Sequence, residues 1–367
     1  MTDGPRVTTL ELFFDLVFVF TVTQLSAVLS HDLAWAGLGH VALMLAIIWY
    51  MYGGYAWLTN AVATDGPRQR AFLLAGMCGY LVLALAVPRA FDGRGLGFAL
   101  AYLVVVVVHL WLFAAGSEGE TLTGVLRLAW SNLGGAALVV LGGALGGDAQ
   151  TVLWLAAVVV LWVAPRLAAV GGFDVAPGHF VERHGLVVII AIGESVVAIG
   201  TGAADLDLDV ELVLAAVLGL LLSAGLWWTY FGGDDERAER ALHALSRPAR
   251  ARAALDGFGY AHYALLLGIV CVAVGLKQGT RHAYGALETG PALALAGGVA
   301  LFLAADVAFR AILRIGAGRA RAAGALIALA TIPLGTAVAA LAQIAALVAT
   351  VALAAGGSPG GPEPKAT

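Results

Sequence analysis

Two carboxylates, Glu11 and Asp15, stand one turn apart inside Thr9 to Leu29, a segment that otherwise reads as a membrane-length apolar helix. Residues at i and i+4 share one helical face, and Thr21 and Gln24 lie deeper in the same segment. A charged side chain at mid-membrane costs about 2.5–3.5 kcal/mol on insertion scales, so a chain keeps one that is paired, hydrated or used. The chemistry on offer is binding of a cation, a proton or a polar substrate. Glu194 is the sharper candidate. It sits about ten residues from either end of its apolar run, near the bilayer midplane, where it cannot snorkel to water. Gly193 before it and Ser195 after it suit close backbone approach or a polar lining. The competing reading is a structural carboxylate, protonated or paired with one basic side chain. Glu11 is shallower and also suits a helix-end acid that complements the dipole, whereas Asp15 is followed by a solid apolar run.

The segment Gly178 to Gly185 brings His179, Glu182, Arg183 and His184 together just before the seventh apolar run. Four ionisable groups there suit a gate or proton relay, or else interfacial anchors. Two histidines without further placed ligands are weak for a metal. At the head of the ninth run, Asp256, Tyr260 and Tyr263 share a face at helical spacing, and His262 points elsewhere. A histidine there either titrates near neutral pH or is a hydrogen-bonded packing residue. Arg89, His109, Arg127, Asn132 and Asp306 are further polar groups, with Arg127 and Arg89 as candidate partners for the buried acids. The aromatic groups Trp49, Tyr50, Tyr52, Tyr55, Trp57 and Trp227, Trp228, Tyr230, Phe231 read first as interfacial belts, and second as a ligand cage.

The elements that position these residues follow from composition. The chain has 367 residues, 61% hydrophobic and only 12% charged, against about 25% charged in an average soluble domain. It reads as an all-α, polytopic membrane protein. Apolar runs of membrane length predict helices near 10–29, 36–58, 70–88, 96–115, 123–145, 150–167, 184–203, 210–231, 256–276, 290–310, 320–336 and 338–355. The last two are divided only by Pro333-Leu334-Gly335, so one long kinked helix is the alternative. Of the 20 Lys and Arg residues, only Arg89, Arg94, Lys277 and Arg281 fall on the side opposite the N-terminus. The positive-inside rule then predicts an inner-membrane protein with both termini cytoplasmic. No removable signal is expected. Asp234 to Ala254 reads as a solvated helix, with contact to anionic lipid the lesser reading. Cys78 and Cys271 read as inert core thiols.

A shift of 170 residues aligns Gln24 with Glu194, Trp57 with Trp227 and Thr59 with Thr229. One offset serving two helices predicts two six-helix repeats, as in transporters whose halves are parallel. The expected organisation is a first repeat over 1–169, a second over 170–356 and a disordered tail over 357–367. No nucleotide, nucleophile-elbow or zinc-hydrolase motif is present, so no enzyme, metal or cofactor is expected. The expected partners are the lipid bilayer and an ion or small molecule, not nucleic acid; a homo-oligomer is left open.

Three stretches, TLELFFDLVFVFTVTQL, HFVERHGLVVIIAIGESVVAIG and YAHYALLLGIVCVAVGL, together with WWTYF at the end of the eighth run, resemble the bacterial low-temperature requirement protein A (LtrA) family. That resemblance implies a multispan inner-membrane protein linked by name to growth in the cold, with no settled biochemical activity. A fainter likeness, Arg6 followed by Phe14-Asp15-x-Val17-Phe18, is to a potassium-channel family built from six-helix repeats, in which the first helix lines the pore. Phe13-Phe14-Asp15 replaces that family's Phe-Ser-Asp, and Arg183-His184-Gly185 stands in the seventh run, which puts ion conduction in doubt. Two functions follow. One is a transporter- or channel-like protein in which Asp15 and Glu194 contact a cation, proton or polar substrate. The other is a non-transporting protein that senses or organises lipid.

Overall fold

The computed structural model describes residues 7–62, 66–167 and 174–356. Arg6, Gly171, Gly172, Lys365, the expected boundary at 169/170 and the tail from 357 lie outside the described residues. The elements are α1 (Thr9–His31), α2 (Trp35–Ala61), α3 (Pro67–Ala86), α4 (Gly95–Gly116), α5 (Gly119–Leu145), α6 (Gly147–Leu167), α7 (Pro177–Ala203) and α8 (Val210–Phe231). They continue with α9 (Asp234–Ala244), α10 (Arg247–Ala254), a π-helix over Leu255–Ala261, α11 (His262–Arg281), α12 (Thr289–Leu313), α13 (Arg319–Ala330), α14 (Ile332–Ala337) and α15 (Ala340–Gly356). Among the described residues there is no strand.

Among the described residues, eleven helical stretches are long and apolar enough to cross a membrane, and α15 adds a shorter apolar helix of 17 residues. The final apolar stretch is two helices. Gly324 lies against Ala354, and Gly335 against Gln343, so α13–α14 and α15 run antiparallel. Outward faces carry large apolar side chains, such as Val152, Leu155, Val159 and Val163 along one stripe of α6, which suits contact with lipid.

The chain forms two compact units. The first holds α1 up to Val28, Trp35–Leu186 and Leu242–Leu255. Its core is aromatic, with Phe14, Phe18, Tyr52, Tyr55, Tyr80 and Tyr102 all buried. Gly146 and Gly147 both have positive φ, 69° and 56°, a conformation that glycine adopts without steric cost, so α5 turns directly into α6. The second unit holds Leu29–Ala34, Val187–Ala241 and the chain from Asp256. Here α11 and α12 cross through glycines: a Cβ on Gly268 would stand 2.8 Å from the Gly298 carbonyl, and one on Gly298 would stand 2.7 Å from the Gly268 carbonyl. Small residues let membrane helices approach this closely.

Several expectations change. Helix α7 begins at Pro177, about two turns before its expected start, because proline is pre-organised for the first helical position. His179, Glu182, Arg183 and His184 therefore lie within α7, and all but Glu182 are buried rather than interfacial anchors. The head of the ninth run is π-helical, so the 3.6-residue spacing that placed Asp256, Tyr260 and Tyr263 on one face does not apply there. Trp49, Tyr52, Tyr55 and Tyr230 are buried packing residues rather than members of a belt; Trp228 is exposed. Cys271 is buried as expected, but Cys78 is exposed on α3. The stretch from Asp234 is not wholly solvated, since Asp234 itself is fully buried.

Candidate functional site

Helix α1 opens with Thr8-Thr9-Leu10-Glu11, which closes a capping box. The Thr8 backbone N–H and Oγ1 both donate to Glu11 Oε2, at 2.8 and 2.9 Å, and the Glu11 N–H donates to Thr8 Oγ1 at 3.3 Å. Two of the helix's orphan donors are thereby satisfied. Glu11 therefore serves the start of its own helix. One turn on, Asp15 is fully buried and accepts from the Tyr52 hydroxyl at 2.9 Å.

The basic partner of both acids is Arg183 from α7. Its Nη1 lies 3.3 Å from Glu11 Oε1 and its Nη2 lies 3.4 Å from Asp15 Oδ1. Nη1 also donates to Thr59 Oγ1. The guanidinium is sandwiched against Phe14 and Tyr52, 5.5 and 5.7 Å from the ring centroids, which adds cation–π attraction. Arg89 and Arg127, the expected partners, are exposed. They lost to a residue that hydropathy placed outside the membrane.

His179 reaches Glu11 as well, with Nε2 at 3.1 Å from Oε1. Its protonation follows from Asn60. Asn60 Oδ1 accepts from the Ala176 N–H at 2.9 Å, so its amide nitrogen must face the Ala176 carbonyl and His179 Nδ1, each at 3.2 Å. Nδ1 therefore accepts from the Asn60 amide, and Nε2–H is left to donate to Glu11. Among the described residues, the buried charges at this point are Glu11, Asp15 and Arg183: two negative and one positive. Asp15 Oδ2 makes no hydrogen bond.

The other expected site residues are dispersed. Glu182 is exposed and accepts from the Val7 N–H at 3.3 Å. His184 is buried, its Nδ1 2.8 Å from the Phe180 carbonyl. Gln24 is half-buried in the first unit. Glu194 and Ser195 belong to the second unit, both buried, and Ser195 Oγ has no hydrogen-bond partner. A Cβ on Gly193 would meet open space, so that glycine serves no close backbone approach. Tyr260 is half-buried in the π-helix. His262 is a packing histidine: Nδ1 lies 2.8 Å from the Gly257 carbonyl and Nε2 lies 2.8 Å from the Tyr230 hydroxyl.

A second buried ionic group was not expected. Asp234 receives Arg310 Nη1 at 2.6 and 2.7 Å and Arg321 Nη2 at 3.1 Å, while Arg321 Nε lies 2.7 Å from Asp306 Oδ2. Arg237 also pairs with Asp234. The charge run after α8 was the available signal, but the fully buried partner Arg310 lies 76 residues away. Among the described residues no group of three or more His, Cys, Asp or Glu is placed to hold a metal ion.

The chain matches the family described as bacterial low temperature requirement A protein (LtrA) over residues 6–356. It is 31% identical over 317 residues to an uncharacterized protein of Rhizobium meliloti (strain 1021), covering 83% of this chain and 76% of that one. No solved structure matches. The residues that carried the resemblance lie on α1, α7 and α11, and the match runs through nearly every described helix; the chain belongs to the bacterial low temperature requirement A family.

Proposed function

We propose that this protein is transporter- or channel-like and passes a small cation, the proton included. Asp15 is the contacting carboxylate in the first unit, and Glu194 is a second contact in the other. One observation carries the reading: two fully buried carboxylates share a single guanidinium, and Asp15 Oδ2 has no partner. A net negative charge in a buried site is costly, and a bound cation at the open oxygen balances it. Glu194 is supported by its burial at mid-helix beside the unpartnered Ser195 hydroxyl.

The duplicated spacing supports a six-plus-six layout. Thr59 Oγ1 and the carbonyl of Thr229, paired by the 170-residue offset, each receive a buried arginine, Arg183 and Arg321. The asymmetry of loop charge supports an inner-membrane protein with both termini cytoplasmic. The reading is non-enzymatic and needs no cofactor.

The test is ion flux into liposomes holding the purified protein, read with proton- and potassium-sensitive dyes. Wild-type flux should exceed that of empty liposomes, and Asp15→Asn should lower it about tenfold or more, as loss of a charge-bearing site residue does. Wild-type flux equal to that of empty liposomes for every cation would sink the proposal and leave the lipid-organising role as the better reading.

A further inference from the structure

We infer that the interior of the first unit binds a file of water molecules leading from the Asp15 carboxylate past Tyr80 and Tyr102 to His109. The starting point is a set of buried polar atoms that the protein itself leaves unpaired. Asp15 Oδ2, the hydroxyls of Tyr80 and Tyr102, and both ring nitrogens of His109 make no hydrogen bond. Asp15, Tyr80 and Tyr102 are fully buried and His109 is 4% exposed. Buried polar groups in folded proteins are nearly always satisfied, by protein or by ordered water.

The other fully buried tyrosines show how the same chain treats this group elsewhere. The Tyr52 hydroxyl donates to Asp15, Tyr55 donates to the Val105 carbonyl at 3.1 Å, and Tyr230 meets His262. Tyr80 and Tyr102 break that pattern. They break it in one region: Tyr80 and His109 stand in one cluster of rings beside Asp15, and Tyr102 lies on the same helix face as His109. Phe14, next to Asp15, lies 5.2 Å from Tyr80 and 4.9 Å from Tyr55; Tyr55 lies 5.8 Å from Tyr80 and 5.2 Å from His109. Tyr80 is within electrostatic reach of Tyr52, Tyr102 and Arg183. Tyr102 and His109 are two turns apart on the buried face of α4. His109 faces the Gly54 backbone without a hydrogen bond of good geometry.

Hydroxyl and imidazole groups can each donate to and accept from water, so water molecules bridging them satisfy every orphan at once. An apolar ligand would satisfy none. The water file stands on these contacts alone. Its use, hydrating Asp15 from within and carrying protons to it, rests on the transport reading.

The experiment is X-ray hydroxyl-radical footprinting of the full-length protein in liposomes, read by mass spectrometry, because bound water labels adjacent side chains even where bulk solvent does not reach. Tyr80 and Tyr102 should be labelled about tenfold faster than Tyr230, which is equally buried but partnered. Labelling no faster than Tyr230 overturns the water file, whatever the flux assay shows. If both tyrosines are labelled but wild-type flux matches empty liposomes, the file stands and the transport reading falls. If flux is present, the Tyr80→Phe/Tyr102→Phe double variant should slow proton flux about tenfold, leaving the Asp15 site intact.

Discussion

The molecule buries two ionic clusters, and they are built differently. In the second unit, the fully buried members are Asp234 and Asp306 against Arg310 and Arg321, two negative and two positive, with contacts of 2.6–3.1 Å. In the first unit, Arg183 is the one buried cation facing Glu11 and Asp15 among the described residues, at 3.3 and 3.4 Å, and Asp15 keeps an open oxygen. Short, charge-balanced contacts return the desolvation cost of burial. Longer contacts with an unmatched charge do not, and they leave an atom for something else to meet. The difference teaches that burial of acids in a membrane protein is not by itself a sign of function. Each cluster leaves a buried carboxylate oxygen without a hydrogen bond, Asp15 Oδ2 in one and Asp306 Oδ1 in the other, so it is the count of opposing charges that separates a structural latch from a site.

The sharpest way to break this comparison is to give the closed cluster the composition of the open one. Arg310→Met leaves Arg321 as the one fully buried cation for Asp234 and Asp306, with the half-buried Arg237 at the edge, and should cost about 3–5 kcal/mol in thermal or denaturant unfolding of the detergent-solubilised protein. Adding Asp234→Leu restores a one-to-one pair and should recover most of the loss. If Arg310→Met unfolds like wild type, an unmatched buried acid costs little, and the charge argument for Asp15 collapses with it.

The converse change in the open cluster is Asp15→Asn, which leaves Glu11 and Arg183 balanced. Its stability should stay within about 1 kcal/mol of wild type, while cation flux falls about tenfold or more. A large stability loss with flux retained would make the first cluster another latch. Glu11→Gln should be milder. It weakens the capping box with Thr8 by about 1 kcal/mol and should reduce flux less than Asp15→Asn does, separating the helix-start acid from the site acid. The smallest effect belongs to Tyr230→Phe, which removes the partner of His262 Nε2. It should lower stability by about 1 kcal/mol with no change in flux; a flux defect there would move His262 from packing to function.

Part of the site was legible from local spacing. Glu11 and Asp15 on one face of α1 were plain, and so was the possibility that Glu11 serves the helix start; Thr8 three residues before Glu11 is the capping-box signal that completes that thought. The start of α7 was also within reach, since Pro177 marks a first helical position. Hydropathy hid it, because His179, Glu182, Arg183 and His184 dilute an apolar window even where three of the four are buried. Arg183 as the partner was not legible, because it lies 172 residues from Glu11. The π-helix at Leu255–Ala261 likewise departs from a period that sequence patterns assume.

Sequence alone determined that this is a many-helix membrane protein with costly acids in α1 and α7, because hydropathy and charge depletion are sums over short segments and need no knowledge of packing. It also determined the family, through motifs read in single helices. Only the tertiary structure decided which acids are matched. An ion pair depends on which distant side chains share a dielectric environment, and that is set by helix packing: Arg183 beside Asp15, Arg310 and Arg321 around Asp234. The unmatched charge at Asp15 follows from that arrangement and from nothing nearer in the chain.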